Sequence, residues 1–203
     1  MAYLKPIGGY FELELPNKSQ IPPPLRNGGV LVNSGQHALE YILKVSHRRE
    51  GVVWVPYYTC EVIHEKLKEL DIPFRCYPIN LNLEIEALPV LNDHDSIIVN
   101  NYFGIKDEYV RRLAEHYGQK IIIDNAQAWY MSDDSGVRRF YSPRKFFGLP
   151  DGGVAHVGKV GRMTLEFEER DYSSQRCSHL LKRIDSGPES GYDDFKKNSE
   201  ELT

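Results

Sequence analysis

Between residues 34 and 157 the chain switches repeatedly between two hydrophobic periods. Ala38, Leu39, Ile42 and Leu43 recur at helical spacing behind Ser34, a residue type that caps helix starts. Val52 to Pro56 follows as a short apolar run. Val62, Ile63, Leu67 and Leu70 then mark the inner face of a helix over Glu61 to Leu70. Further strands are predicted over Phe74 to Ile79, Ser96 to Asn100, Lys120 to Asp124, Val137 to Tyr141 and Gly153 to Val157. Asp107 to Tyr117 reads as a helix closed by Gly118. Strands alternating with helices predict an α/β domain on a mostly parallel sheet, with helices on both faces. Ligands of such sheets sit at the carboxyl ends of strands. Asp124 and the turn from Asn100 to Gly104 fall there.

The ends of the chain read differently. Gly8-Gly9, Pro16 and Pro22-Pro23-Pro24 preclude a long helix, so residues 1–28 are an arm. Within it Tyr10 to Leu15 alternates apolar and acidic residues and is expected as an edge strand, bringing the sheet to seven strands. The main domain is expected over 29–180. From 181 to 203, Gly187, Pro188, Gly191 and many charges predict a polar tail or linker toward a C-terminal domain that the chain does not contain.

Composition narrows the function classes. At 203 residues, 41% hydrophobic and 27% charged, the chain can bury the core of one ordinary globular domain. Its net charge of −4 argues against a nucleic-acid surface. No apolar run approaches the ~20 residues that span a bilayer, so no membrane partner is expected. The N-terminus lacks the apolar core of a signal peptide, and the expected location is the cytoplasm. Cys60, Cys76 and Cys177 have no metal-ligand spacing and read as reduced thiols. No Gly-x-Gly-x-x-Gly follows a strand and no Walker sequence occurs, which disfavours a nucleotide-binding Rossmann-like domain.

Candidate chemistry concentrates in three segments. Lys145 lies in a stretch with Ser142 three residues before it and Gly152-Gly153 after it. It is either a nucleophilic amine, which must be neutral to attack an aldehyde, or a solvated surface lysine. Asp124 ends the apolar strand Ile121-Ile122-Ile123, where a carboxylate is costly to desolvate without a cation. A pyridinium nitrogen is such a cation; a turn cap made with Asn125, or a metal, is the alternative. Ser34, Gly35 and Gln36 open a helix, whose free N–H groups suit a phosphate. The same turn also serves as a plain N-cap. Ser142 either adds a hydroxyl to that phosphate or makes a turn before Pro143. Gln127 either donates to a cofactor's ring oxygen or makes a polar loop contact. Phosphate turn, acid and lysine, in this order along the chain, are the parts needed to hold pyridoxal 5′-phosphate (PLP). Pro56 to Cys60 would supply aromatic rings against a planar cofactor.

Together these segments resemble the DegT/StrS group of PLP-dependent nucleotide-sugar aminotransferases. The likeness rests on Ser34-Gly35-Gln36-His37-Ala38-Leu39, on Pro56 to Cys60, on Asp124-Asn125-Ala126-Gln127, and on Ser142 and Lys145 followed by Gly152-Gly153. It covers roughly residues 28–160 and keeps the family's order. The resemblance implies a fold type I large domain without its small C-terminal domain, and a homodimer. It implies that Lys145 joins the cofactor covalently and shuttles the proton. Asp124 would pair with the pyridinium nitrogen, Gln127 with the ring oxygen, and Gly35, Gln36 and Ser142 with the phosphate. Cys60 stands where the family has an aromatic residue stacked on the ring, so stacking either passes to Tyr58 or is weaker. The implied reaction is amino transfer from glutamate or a similar donor to a keto-sugar nucleotide. The alternative is a protein of this fold that binds cofactor or a partner without turnover.

Overall fold

The computed structural model describes residues 10–13, 28–131, 136–159 and 173–201. In chain order the elements are β1 (Val30–Val32), α1 (Gly35–Ser46), β2 (Val53–Pro56), α2 (Glu61–Glu69), β3 (Phe74–Tyr77), β4 (Ser96–Asn100) and α3 (Asp107–Tyr117). Then follow β5 (Ile121–Asp124), β6 (Arg138–Tyr141), β7 (Gly153–Val157), α4 (Ser178–Ser186) and α5 (Tyr192–Glu201).

A strand that is apolar on both faces needs cover on both sides. Ile121, Ile122 and Ile123 are all 0% exposed, and β5 lies inside a seven-stranded sheet of order β1-β7-β6-β5-β4-β2-β3. Alternation sorts its side chains. Ile98, Ile122 and Phe140 point to a core built with Ala38, Leu39 and Ile42 of α1 and Ile63 and Leu67 of α2. Ile97, Val99, Ile121 and Ile123 point the other way, onto Val110, Leu113 and Ala114 of α3. The result is helix, sheet, helix. Strands β3, β2, β4, β5 and β6 are mutually parallel, whereas β7 pairs antiparallel with both β6 and β1. The carboxyl ends of the parallel strands therefore share one edge. No described helix is long and apolar enough to cross a membrane.

Two expectations change. The seventh strand is β1, paired antiparallel as Val30↔Ala155 and Val32↔Gly153. Its Val30 and Val32 pack on the α1 core, while Leu31 is 69% exposed. The described part of the Tyr10 to Leu15 segment adds only a single parallel bridge, Leu13↔Gly148. Its anchor is Tyr10, buried by stacking on Phe195 at 5.0 Å and by donating its hydroxyl to the carbonyls of His179 and Pro188, each at 3.1 Å.

The stretch expected as a polar tail, 181–203, is largely helical where it is described. Most of its described residues are exposed, but Gly191 is buried and the 6% exposed Asn198 donates its Nδ2 to the Pro150 carbonyl at 2.7 Å. Local composition hides this because the aromatic partner of these helices, Tyr10, comes from the far end of the chain.

Gly153 marks where the sheet meets α1. A Cβ there would stand 2.1 Å from the Ser34 carbonyl oxygen, a backbone atom that cannot swing aside. Gly153→Ala should cost about 1–3 kcal/mol in urea unfolding, the usual range for overpacking. Leu31→Ser, on the exposed side of β1, should change stability by less than about 0.5 kcal/mol.

Candidate functional site

At the carboxyl edge of the sheet the chain leaves β2, β4, β5 and β6 into loops that enclose two adjoining hollows. One, of about 260 Å³, is lined by Tyr58, Thr59, Asn100, Tyr102, Phe103 and Gln127. The other, of about 240 Å³, is lined by Ser34, Gly35, Gln36, Ser142, Arg144 and Ser199. Cys60, Asp124, Ala126 and Lys145 line both. Together they reach the size of ordinary ligand sites, roughly 300–1,000 Å³.

The second hollow owes its shape to glycine. The Gly152 N–H donates to the Asn33 carbonyl at 2.6 Å, and Gly152 has φ +121°. With Gly153 against Ser34, this draws the segment after β6 onto the start of α1. A Cβ on Gly35 would come within 3.1 Å of the Ser142 Cβ and 3.4 Å of its Oγ. The Ser142 hydroxyl thus sits beside the first turn of α1. Ser34 itself is the N-cap: its Oγ accepts from the His37 N–H at 3.3 Å and pairs with His37 Nδ1 at 2.8 Å. The Ala38 N–H goes to the Ser34 carbonyl. That leaves the Gly35 and Gln36 N–H groups without acceptors among the described residues, as the first helical turn requires. Ser34 therefore contributes backbone and cap, and the open donors belong to Gly35 and Gln36.

Lys145 ends a short 3₁₀ turn, Pro143–Lys145, closed by its own N–H to the Ser142 carbonyl at 3.1 Å. Its amine makes no hydrogen bond or ion pair among the described residues and borders both hollows. Asp124 is buried at the end of β5. One carboxylate oxygen accepts from the Ala126 N–H at 2.8 Å. The other has no partner among the described residues. Burial pushes the Asp124 carboxyl above the usual carboxylate range. The Ala126 N–H and the charge of Lys145 counter only part of that. A carboxylate in this setting calls for a proton donor or cation from the cleft.

Loop contacts fix the remaining walls. Gln127 Oε1 accepts from the Phe103 N–H at 3.2 Å, so its amide group still has donors to offer. Phe103 holds φ 55°, uncommon for a bulky residue, and Gly104 follows at φ 68°. Tyr58 stacks on Tyr102 with ring centres 5.7 Å apart, and the Tyr102 hydroxyl donates to the Tyr58 carbonyl at 2.6 Å. Burial, with the Asp124 charge adding, pushes the Tyr102 hydroxyl up. Asn101, 1% exposed, ties the floor together by donating to Asp107 Oδ1 at 2.7 Å and Asn125 Oδ1 at 3.2 Å.

Every residue singled out in the sequence thus borders the cleft: Lys145, Asp124, Gln127, Ser142, Ser34, Gly35, Gln36, Tyr58 and Cys60. Sequence reasoning placed the Asn100 to Gly104 turn at this edge without giving Asn100 or Tyr102 a role, and it missed Arg144 and Ser199. A polar residue closing the apolar run Ser96 to Val99 was a signal for Asn100. Arg144 was visible as the neighbour of Lys145. Nothing local marks Ser199.

No family model matches the sequence, and no curated protein matches it. Solved structures do match. Tyrosine aminotransferase from Leishmania infantum superposes with a TM-score of 0.54 at 10% identity, covering 80% of this chain and 54% of that one. DesI, solved in the presence of its TDP-sugar product, gives 0.51 at 14% identity over 85% and 48%. The NtdA structure from Bacillus subtilis, with bound cofactor PMP, gives 0.50 at 17% identity over 65% and 34%.

The fold is the large domain of the PLP-dependent aminotransferases of fold type I. At these identities the likeness is one of fold. The chain spans about half the length of the first two structures.

Asp124 generates a stability test. Its carboxyl is raised in the folded state, so it contributes stability that is full below the unfolded carboxylate range. That stability is lost as the pH rises through the folded value. In cofactor-free protein, Asp124→Asn should therefore unfold at higher temperature than wild type near neutral pH. The gain should shrink to nothing as both are acidified below about pH 4. A constant difference at all pH values would show that Asp124 is not titrating in a desolvated site.

Proposed function

We propose that the chain is a PLP-dependent aminotransferase that moves an amino group from glutamate or a similar donor to a keto-sugar nucleotide. The observation that carries the reading is the shared wall of the two hollows. A lysine amine and a buried carboxylate meet there, with open helix N–H groups on one side and aromatic rings on the other. Those groups fit PLP in kind: an acid for the ring nitrogen, donors for a phosphate, an amine for the aldehyde, and rings beside a planar heterocycle.

When bound, the cofactor supplies an electron sink for a carbanion at the donor's α-carbon. The remaining work belongs to the chain. Asp124 would hold a proton on the ring nitrogen, a cation that a desolvated carboxylate favours. Gln127 offers its Nε2 to the ring oxygen while its Oε1 stays on Phe103. Gly35, Gln36 and Ser142 anchor the phosphate. Tyr58, fixed on Tyr102, borders the side where Cys60 offers no ring. The Lys145 amine, once neutral, would take the proton from the donor's α-carbon and return it at the cofactor's C4′ atom. The second half-reaction runs these transfers backward on the keto sugar.

DesI in the presence of its TDP-sugar product supports a sugar nucleotide as acceptor, by fold alone. A homodimer fits the exposed Tyr57, Phe103 and Tyr130 on loops that frame the cleft, which are 69%, 56% and 70% accessible. Residues 29–180 are proposed as the cofactor-binding domain, working in the cytoplasm.

Borohydride reduction in the presence of PLP tests the assignment without turnover. Intact mass and peptide mapping should place one cofactor-sized adduct on Lys145, and Lys145→Ala should lose it. An adduct on another lysine would end the assignment. Glutamate should convert wild-type protein to the amino form of the cofactor and release one keto acid per site. Cofactor binding without that conversion would identify a binder that does not turn over.

A further inference from the structure

We infer that Asn100 is a positioning residue for Asp124: its side-chain amide turns end for end with the charge of that carboxyl, and Thr59 partners either end. The inference deepens the reading above, on which the cofactor's part in it rests; the pairing of Asn100 with Asp124 rests on the sheet alone.

Strand register brings the two side chains together. Asn100 and Asp124 end the neighbouring parallel strands β4 and β5 and are paired across them, at the strand spacing of about 4.8 Å. Alternation puts Asn100 on the face of Ile98 and Asp124 on the face of Ile122, the face turned to α1. Both border the hollow of about 260 Å³. Thr59, from the loop after β2, supplies the next polar group, and its Oγ1 accepts from the Asn100 Nδ2 at 2.9 Å.

That bond leaves an imbalance. Asn100 Oδ1 is buried and has no donor among the described residues. Next to it, Asp124 has one oxygen on the Ala126 N–H at 2.8 Å and one oxygen open. Two acceptors side by side need either a proton between them or a donor turned toward them. A neutral Asp124 supplies the proton, and its O–H donates to Asn100 Oδ1. A charged Asp124 calls for the donor. The amide then turns over, Nδ2 donates to the carboxylate, and Oδ1 accepts from the Thr59 hydroxyl. A hydroxyl both donates and accepts, so Thr59 fits either arrangement. Of the two bonds to Asp124, the one to the charged carboxylate is the stronger.

The neighbouring polar groups are committed elsewhere. Asn101 donates to Asp107 and Asn125, Gln127 Oε1 accepts from Phe103, and the Tyr102 hydroxyl donates to the Tyr58 carbonyl. The charged or titratable side chains that share a hollow with Asp124 are Lys145 and Arg144 from the turn after β6, Tyr58 and Cys60 from the loop after β2, and Tyr102 from the loop after β4. On its other side β6 pairs Phe140 with Asp124. With a cationic ring nitrogen in the cleft Asp124 is charged, and a carboxylate oxygen accepts from two donors at once. The turned amide of Asn100 then holds the carboxylate in one direction while the ring nitrogen takes the remaining lone pair.

The test titrates Asp124 in the full chain without cofactor, by carboxyl carbon NMR of aspartate-labelled protein, with the signal identified by its loss in Asp124→Asn. Asn100→Val keeps a compact side chain that neither donates nor accepts. It should raise the Asp124 midpoint by about 0.5–1 pH unit, the margin between a hydrogen bond to a charged group and one to a neutral group. Asn100→Thr has the shape of valine and a hydroxyl that serves both forms, so it should recover most of the shift. By calorimetry, PLP should bind about 3–10-fold more weakly to Asn100→Val, by the same margin, and regain most of that in Asn100→Thr. If Asn100→Val does not fold, Asn100→Ala against Asn100→Ser makes the same comparison. An unmoved midpoint in Asn100→Val, or equal midpoints in the valine and threonine variants, would overturn the inference whatever the affinity for PLP. A midpoint that moves as expected in a protein with no affinity for PLP would keep the pairing of Asn100 with Asp124 and remove the cofactor reading.

Discussion

The approach of two backbones organises this cleft. Gly152 and Gly153 run against Asn33, Ser34 and Gly35 so closely that no side chain fits between them. The contact joins the start of the first large helix to the segment carrying Ser142 and Lys145. Without it, the open N–H groups of α1 and the lysine amine would not share a cavity. It also explains a glycine pair that a reading for chemistry alone would assign to the ligand. Here the pair serves close packing, and the ligand-facing donors lie one step away, on Gly35, Gln36 and Ser142.

Around that junction the chain keeps charged groups out of water with less than full compensation. Asp124 has one hydrogen bond from Ala126 and one open oxygen. Arg144 has a hydroxyl where an acid would satisfy it better. Buried polar groups are ordinarily paired, and exceptions cluster where a ligand completes the set. The backbone at Phe103 adds a further local cost at the same rim. Loop and floor are held by Gln127, Asn101 and Asn125, so the strain is borne by a connected network rather than by one residue.

The two ends of the chain meet at this site from behind. Tyr10 stacks between the C-terminal helices, Leu13 bridges to Gly148, and Asn198 fastens to Pro150. The last two contacts act on the segment between Ser142 and Gly153. The proposed lysine chemistry and the proposed phosphate anchor therefore depend on residues near both termini as well as on the central sheet.

The sequence by itself determined much of the central domain. Sequence pattern placed α3, β4 and β7 on their observed bounds and the start of α1 after Ser34, because these segments bury one face or two and their side chains repeat accordingly. It also set an acid, Asp124, at the end of the apolar run Ile121-Ile122-Ile123, where a turn cap or a cation from the cleft would each account for it. Tertiary structure decided the rest. The seventh strand fell to Val30–Val32, because strand pairing with β7 depends on where α1 begins rather than on local alternation. The C-terminal segment became helical and anchored because Tyr10, distant in sequence, supplies the apolar surface its own composition lacks. Ser34 became a cap, leaving its neighbours' N–H groups open. Arg144 and Ser199 came together only through packing, since hydrogen-bond partners far apart in the chain leave no periodic trace in it.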